Sequence, residues 1–204
     1  MTPEARAELE AELRAFCDAD DHERAATLAI RKYGPEILGY LLAVTRDENN
    51  ASEVFAIFSE DLWKGLPSFR WQASFRTWAY TIARNAFYRF ARDPVRKRER
   101  VPLSQAKQVR ELAENVRTTT LMYLRTEVKQ SVARLREQLA PDEQTLLILR
   151  IDRKMAWRDI AIVMSDSQDP DPASLKREAA ALRKRFERIK NNLREMARQQ
   201  GITG

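Results

Sequence analysis

The sequence predicts an all-α protein built from two small helical domains, and three observations predict it. The 204 residues include only 5 glycines, and a charged fraction of 32% is spread among many Ala, Leu, Arg and Glu, all good helix formers. Apolar residues recur at helical spacing in several separate stretches. The pair Asp93-Pro94, followed by the basic run Arg96-Lys97-Arg98-Glu99-Arg100, divides the chain where a linker is expected. The domains are therefore placed at 1–93 and 121–204, with 94–120 as a linker that carries a short helix.

Thr2-Pro3-Glu4 combines an N-cap with proline at the first helical position, so a helix is expected from there to about Cys17. Asp20 or Asp21 caps the next. Gly34-Pro35 is expected to end that helix after Tyr33 and to start another bearing Ile37, Leu38, Leu41 and Leu42. Asn49-Asn50 is expected to break the chain again. From Ala51 to Lys64, the residues Val54, Phe55, Phe58, Leu62 and Trp63 form a buried stripe. Gly65 to Ala73 is read as a loop that carries Phe69 and Trp71, after which Ser74 caps a helix running to about Arg92.

On that helix Phe75, Ala79, Ile82, Ala83, Ala86 and Phe90 share one face, and Tyr80, Arg84, Phe87 and Tyr88 point the other way. Phe75, Trp78 and Ile82 are assigned to packing, as is Trp157 further on. Beyond the linker, helices are expected at Ser104 to Val116, at Leu121 to Leu139, and from Pro141 through Arg150.

The net charge of +6 conceals a strong asymmetry. Residues 1–62 hold 6 Lys/Arg against 14 Asp/Glu, whereas 84–110 hold 9 against 2 and 173–204 hold 9 against 3. Two cationic blocks suit phosphate backbones, and an acidic first third suits a basic protein surface. A single Cys17 and a single His22 exclude a disulfide framework and leave no cluster for a metal; no cofactor is expected. No apolar stretch approaches the roughly 20 residues that span a bilayer. With an N-terminus too acidic for a signal peptide, the expected location is the cytoplasm. An enzyme is disfavoured, since no nucleophile-base pair, paired carboxylates or phosphate loop can be assembled.

Met155 to Met164 is a short amphipathic stretch between a preceding helix and a long basic one, which is helix-turn-helix order. Its Ile160, Ala161 and Met164 are expected to brace the second helix, whose Arg183, Lys184, Arg185 and Arg188 lie within two turns. At these residues the chain resembles the extracytoplasmic-function group of bacterial RNA polymerase sigma factors. Gln138 to Met164 and Ala181 to Glu195 are similar to that family's region 4. Tyr33 to Arg92, above all Phe75-Arg76-Thr77-Trp78-Ala79-Tyr80-Thr81-Ile82-Ala83-Arg84-Asn85, resembles region 2.

The resemblance implies a non-enzymatic factor that directs core polymerase to promoters. Region 4 would hold the minus-thirty-five element through Lys176, Arg177, Arg183, Lys184, Arg185 and Arg188. Region 2 would read and open the minus-ten element through Phe69, Arg70, Trp71, Arg76, Tyr80, Arg84 and Tyr88, supplying rings for unstacked bases and cations for the backbone. The helix after Asn50 would dock on the polymerase clamp through Glu53, Ala56, Ile57, Glu60 and Asp61.

The sequence departs from the family's pattern twice. Where the family carries an acidic run and a Gln-Glu pair, this chain has Asn50-Ala51-Ser52-Glu53 and Ala56-Ile57. Phosphorylation of Ser52, or of Ser59, would restore charge at that surface, at about −1.5 to −2 per phosphate; a Ser/Thr kinase or an anti-sigma protein then joins the expected partners. Glu60 and Asp61 supplying enough charge unmodified is the alternative. The second departure is the helix-turn-helix turn. Ser165 to Ala181 is much longer than the family's short turn, and Pro172-Ala173-Ser174 is expected to start the recognition helix two or more turns early. The rival readings are a stand-alone helix-turn-helix regulator and a helical adaptor that binds polymerase without initiating.

Overall fold

A computed structural model of the chain describes residues 1–92, 111–119, 136–167 and 170–200. Among these residues every regular element is helical. The chain forms two compact units, Met1–Tyr123 and Leu124–Gly204.

In the first unit, α1 (Pro3–Asp18) begins with the expected cap: the Thr2 hydroxyl accepts from the Ala5 amide at 3.2 Å, with Pro3 at the first helical position. The Asp21 carboxylate caps α2 (His22–Thr45) by accepting from the Arg24 amide at 3.2 Å. Against expectation, α2 runs unbroken through Gly34-Pro35. Proline inside a helix removes a donor and costs about 3 kcal/mol. Here Ile30, Tyr33, Ile37, Leu38 and Leu41 on either side of it are all buried, and burying that much apolar surface outweighs the loss.

The real break comes at Arg46, which adopts the left-handed region with φ 57°. Asp47 then caps α3 (Glu48–Gly65) through the Asn50 amide at 2.7 Å, so Asn49-Asn50 sits in the first turn of a helix and not in a break. A 3-10 turn at Leu66–Ser68 leads to the loop before α4 (Phe75–Arg92). Helix α2 packs against α1, α3 and α4, and its Tyr33, Tyr40, Ile37 and Leu38 fill the centre with Phe55, Phe58 and Phe75.

A further helix, α5, is described over 111–119. Part of the stretch read as linker thus groups with the first unit. Gly34 makes room for it: a Cβ there would come within 2.9 Å of Val116 Cγ1 and 3.3 Å of the Phe55 ring. The basic run at 95–102, the first half of the helix expected from Ser104, and most of the helix expected over Leu121 to Leu139 lie outside the described residues.

In the second unit, α6 (Pro141–Leu147) passes into a π-helical turn at Ile148–Asp152, then α7 (Trp157–Met164) and α8 (Pro172–Gln199). Helix α8 packs on α7 and α6. The Gln144 side chain donates to the carbonyls of Arg136 and Leu139 at 2.8 and 3.2 Å, and Arg136 grips Asp152 with both arms of its fork at 2.9 and 3.3 Å. These bonds fasten the residues that enter α6 to the far end of the π-turn. The expected brace is present: Ile160, Ala161, Val163 and Met164 of α7 are buried.

Candidate nucleic-acid interface

In α8 an apolar row at Leu175, Ala179, Leu182, Phe186 and Ile189 is buried, with spacings of four and three residues, which is the seam of a helix packed along its length. Packing that row inward turns the rest of the helix to solvent. Lys176, Arg177, Arg183, Lys184 and Arg188 are exposed and Arg185 is half-buried. Among the described residues Lys176, Arg177, Lys184, Arg185 and Arg188 enter no ion pair, whereas further along Lys190 pairs with Glu187 and Arg198 with Glu195. The early start of α8 is real: the Asp171 carboxylate accepts from the amides of Ala173 and Ser174, both at 2.9 Å, so Lys176 and Arg177 ride on the same rigid rod as the later cations.

In the first unit the loop before α4 carries a cluster of rings. Phe69 stacks on Trp78 at 4.4 Å and meets Trp71 at 4.7 Å and Phe75 at 5.6 Å. Gly65 leaves space for the Trp78 indole, which a Cβ would approach to 2.9 Å. Trp71 has φ 56°, a strained conformation for a bulky residue. Its ring lies 5.7 Å from the guanidinium of Arg14 on α1. Phe69 and Trp71 are half-buried, Arg70 is exposed and Tyr88 is half-buried, so rings and cations are accessible together.

The remaining residues expected to meet nucleic acid are placed otherwise. Arg76 is 5% exposed and Tyr80 fully buried. The Arg76 Nε donates to the Glu36 carboxylate at 2.8 Å, its Nη2 reaches the same oxygen, and the Tyr80 hydroxyl donates to it at 2.9 Å. These two residues lock α4 to α2 and are not presented to a ligand. Arg84 is buried too, with its guanidinium 4.8 Å from the Tyr88 ring centroid. The helical wheel places Tyr80 and Arg84 opposite the apolar face, but α4 is covered on both sides. Trp78 and Trp157, assigned to packing from sequence, are only half-buried.

Glu10 is a functional residue that sequence reading missed. Its carboxylate accepts from the Phe75 amide at 2.5 Å, the Arg76 amide at 3.0 Å and the Tyr33 hydroxyl at 3.0 Å. It therefore caps α4 from another helix, alongside the local cap in which Ser74 Oγ accepts from the Thr77 amide at 3.1 Å. Burial, reinforced by the Glu10 carboxylate, pushes the Tyr33 phenol far above its usual value, so the hydroxyl stays a donor across the physiological range. Replacing Glu10 by Ala is expected to lower stability by about 1–2 kcal/mol, the worth of an N-cap bond. Thermal unfolding followed by circular dichroism checks it, with a shift of a few degrees expected.

On α3, Glu53, Ile57, Glu60 and Asp61 are half-buried and Ala56 is exposed, so the expected docking residues share the accessible face of the helix. Glu60 pairs with Lys64 at 2.6 Å, and Asp61 pairs with Arg89 of α4. Burial raises the Asp61 carboxyl above its ordinary value despite Arg89. Ser52 and Ser59 are 8% and 5% exposed, and their hydroxyls donate to the carbonyls of Glu48 at 2.6 Å and Phe55 at 2.9 Å. Both point along their own helix and not towards a modifying enzyme. No group of ligands for a metal occurs among the described residues, and no helix there is long and apolar enough to cross a membrane.

Residues 29–98 match the family described as Sigma-70 region 2. Across a longer stretch the chain is similar to the RNA polymerase sigma factor YlaC of Bacillus subtilis (strain 168), with 29% identity over 162 residues that cover 76% of this chain and 87% of that protein. It is also 29% identical over 151 residues to the RNA polymerase sigma-H factor of Pseudomonas aeruginosa, covering 70% of this chain and 76% of that protein. No solved structure matches.

Proposed function

Because this chain belongs to the RNA polymerase sigma factors, of the extracytoplasmic-function type, and so serves promoter-specific transcription initiation with RNA polymerase, we propose how its surfaces divide the work. The second unit holds the minus-thirty-five duplex along α8, the ring cluster of Phe69 and Trp71 receives unstacked bases of the minus-ten element, and the open face of α3 docks on the polymerase clamp. The observation that carries this reading is the row of α8 cations, held outward by the buried apolar seam and left without internal carboxylate partners. Charges of that kind release counterions when they meet phosphates, which gives strong, salt-sensitive affinity. The proposed boundaries of the two modules remain 1–93 and 121–204, with 94–120 between them. The factor works in the cytoplasm and has no catalytic site of its own.

Docking needs no phosphate on α3 in this proposal. Glu53 and Glu60 at the accessible face supply charge, and Ile57 with Ala56 supplies apolar contact at the centre of the patch. Phosphorylation at Ser52 would require its hydroxyl to leave the Glu48 carbonyl and the residue to become exposed. A pull-down of core polymerase by the unmodified chain and by Ser52→Glu compares the two routes. Equal capture supports docking without a kinase; capture by Ser52→Glu alone restores the kinase.

The test of the whole reading is a gel shift on a cognate promoter duplex, with and without core polymerase, followed by run-off transcription. A core-dependent shift and a specific transcript are expected. Tight binding of the duplex by the chain alone, with no transcript when core is present, would instead make it a stand-alone helix-turn-helix regulator. In the same assay Ile57→Asp is expected to lower core-dependent transcription at least tenfold, since a charge buried at an interface centre goes unpaired.

A further inference from the structure

Where the π-turn, the start of α7 and the middle of α8 meet, the second unit has an open cleft of about 500 Å³. Trp157 forms one wall. The guanidinium of Arg150 lies 4.8 Å from the Trp157 ring centroid and that of Arg183 lies 5.8 Å from it, so one indole is a platform for two cations. Phe186 holds the indole edge-on at 5.5 Å. Lys184 and Lys190 complete the lining, and its single carboxylate, Glu187, is engaged with Lys190 at 2.8 Å. One arm of Arg150 is fixed by its Nη1 donating to the Met155 carbonyl at 2.9 Å.

Three independent features of this cleft select an anion with several oxygens. Four cations against one carboxylate make a strongly positive recess, whose field is focused by the low-dielectric wall of Trp157 and Phe186. A guanidinium stacked on a ring uses its face and leaves its N–H edge free for a planar fork of acceptors, with less side-chain freedom to lose on binding. Trp157 is also the first residue of α7, and no side chain caps that helix start, so the first-turn amides add their partial positive charge. The recess opens on the helix whose exposed Lys176, Arg177 and Arg188 already mark a nucleic-acid face.

We propose that this cleft grips a backbone phosphate of the promoter duplex, with Arg150 and Lys190 as ligands lying off the recognition row and Trp157 as the platform that orients the two guanidinium groups. This rests on the reading of α8 given above. The contact carries no sequence information and fixes the register of the second unit on the duplex. Trp157, which its spacing assigns to the core, is then a half-buried part of the site.

The test measures promoter affinity of the reconstituted holoenzyme against salt concentration for the wild type, Arg150→Gln and Lys190→Gln, on a matched promoter and on one with a shuffled minus-thirty-five element. Each substitution is expected to lower the slope of log affinity against log salt by about 0.9. The loss, about fivefold per contact near 0.15 M salt, is expected to be the same on both duplexes. An unchanged slope in both variants, or a loss confined to the matched duplex, overturns the proposal. Should Arg150→Gln disturb folding, visible as a lowered melting temperature, Lys190→Gln decides alone, since that side chain sits at the rim and not in the core. Inorganic phosphate titrated at constant ionic strength separates a duplex from a free anion: competition at millimolar phosphate that depends on Arg150 overturns the duplex assignment. A wild-type holoenzyme that binds neither duplex overturns the underlying reading together with this one.

Discussion

Replacing Glu36 by Ala is expected to destabilise the first unit by about 3–5 kcal/mol, the largest single-residue effect in the chain outside the apolar core. One oxygen of Glu36 takes both the Arg76 guanidinium and the Tyr80 hydroxyl. The side chains of Arg76 and Glu36 are 7% and 21% exposed, so water screens this pair little. Removing the carboxylate leaves a buried guanidinium and a buried phenol to find other acceptors, and that desolvation cost dominates over the lost attraction. Urea denaturation measures the change. A double-mutant cycle sharpens the test: Glu36→Leu combined with Arg76→Met is expected to recover much of the stability, because an apolar pair of similar volume has no charge to desolvate. If Glu36→Ala alone cost less than about 1 kcal/mol, the pair would be a surface contact and the lock between α2 and α4 would fail.

Neutralising the α8 row, with Lys176, Arg177, Lys184 and Arg188 all changed to Gln, is expected to weaken holoenzyme binding to promoter duplex by about 10²–10³-fold at roughly 0.15 M salt, if each side chain meets one phosphate. None of these cations is spent on an internal ion pair among the described residues, so their removal leaves folding nearly unchanged. The thermal midpoint should move by no more than a few degrees. The same experiment sorts the residues. A side chain on phosphate lowers the salt slope and weakens matched and mismatched sites alike, whereas one on a base edge relaxes preference at a single position. The long N-terminal extension of α8 makes Lys176 and Arg177 the residues for which this distinction matters most.

Much of the fold was legible in the sequence because its signals are local. Thr2, Asp21, Ser74 and Pro141 mark helix starts by chemistry that reaches only three residues, and the apolar seam of α8 declares itself by spacing. Pro35 misled because propensity is a weak local term. The burial of Tyr33, Ile37 and Leu38, which overrides it, depends on helices elsewhere in the chain. The docking face of α3 and the cations of α8 were readable as faces of amphipathic helices.

The inner part of the region 2 site was not readable. Arg76 and Tyr80 have the composition of a nucleic-acid contact, and only the position of Glu36, forty and forty-four residues earlier, turns them inward. Glu10 gave no signal at all. It sits in a run of glutamates on α1, and nothing local distinguishes the one that reaches α4 from the others. Trp157 was misassigned to the core because an aromatic at helical spacing reads the same whether its face is covered by apolar side chains or by two guanidinium groups.

The reach of Glu10 means that evolutionary likeness and cooperative folding have different borders here. A fragment trimmed to residues 29–98 would keep every position that matches the family and would lose α1 whole. The amides of Phe75 and Arg76 would then open to solvent, the Tyr33 phenol would lose its acceptor, and the indole of Trp71 would lose the guanidinium lying beside it. The loop that carries Trp71 would fray first, so such a fragment would be expected to stay helical by spectroscopy while failing to hold a melted strand.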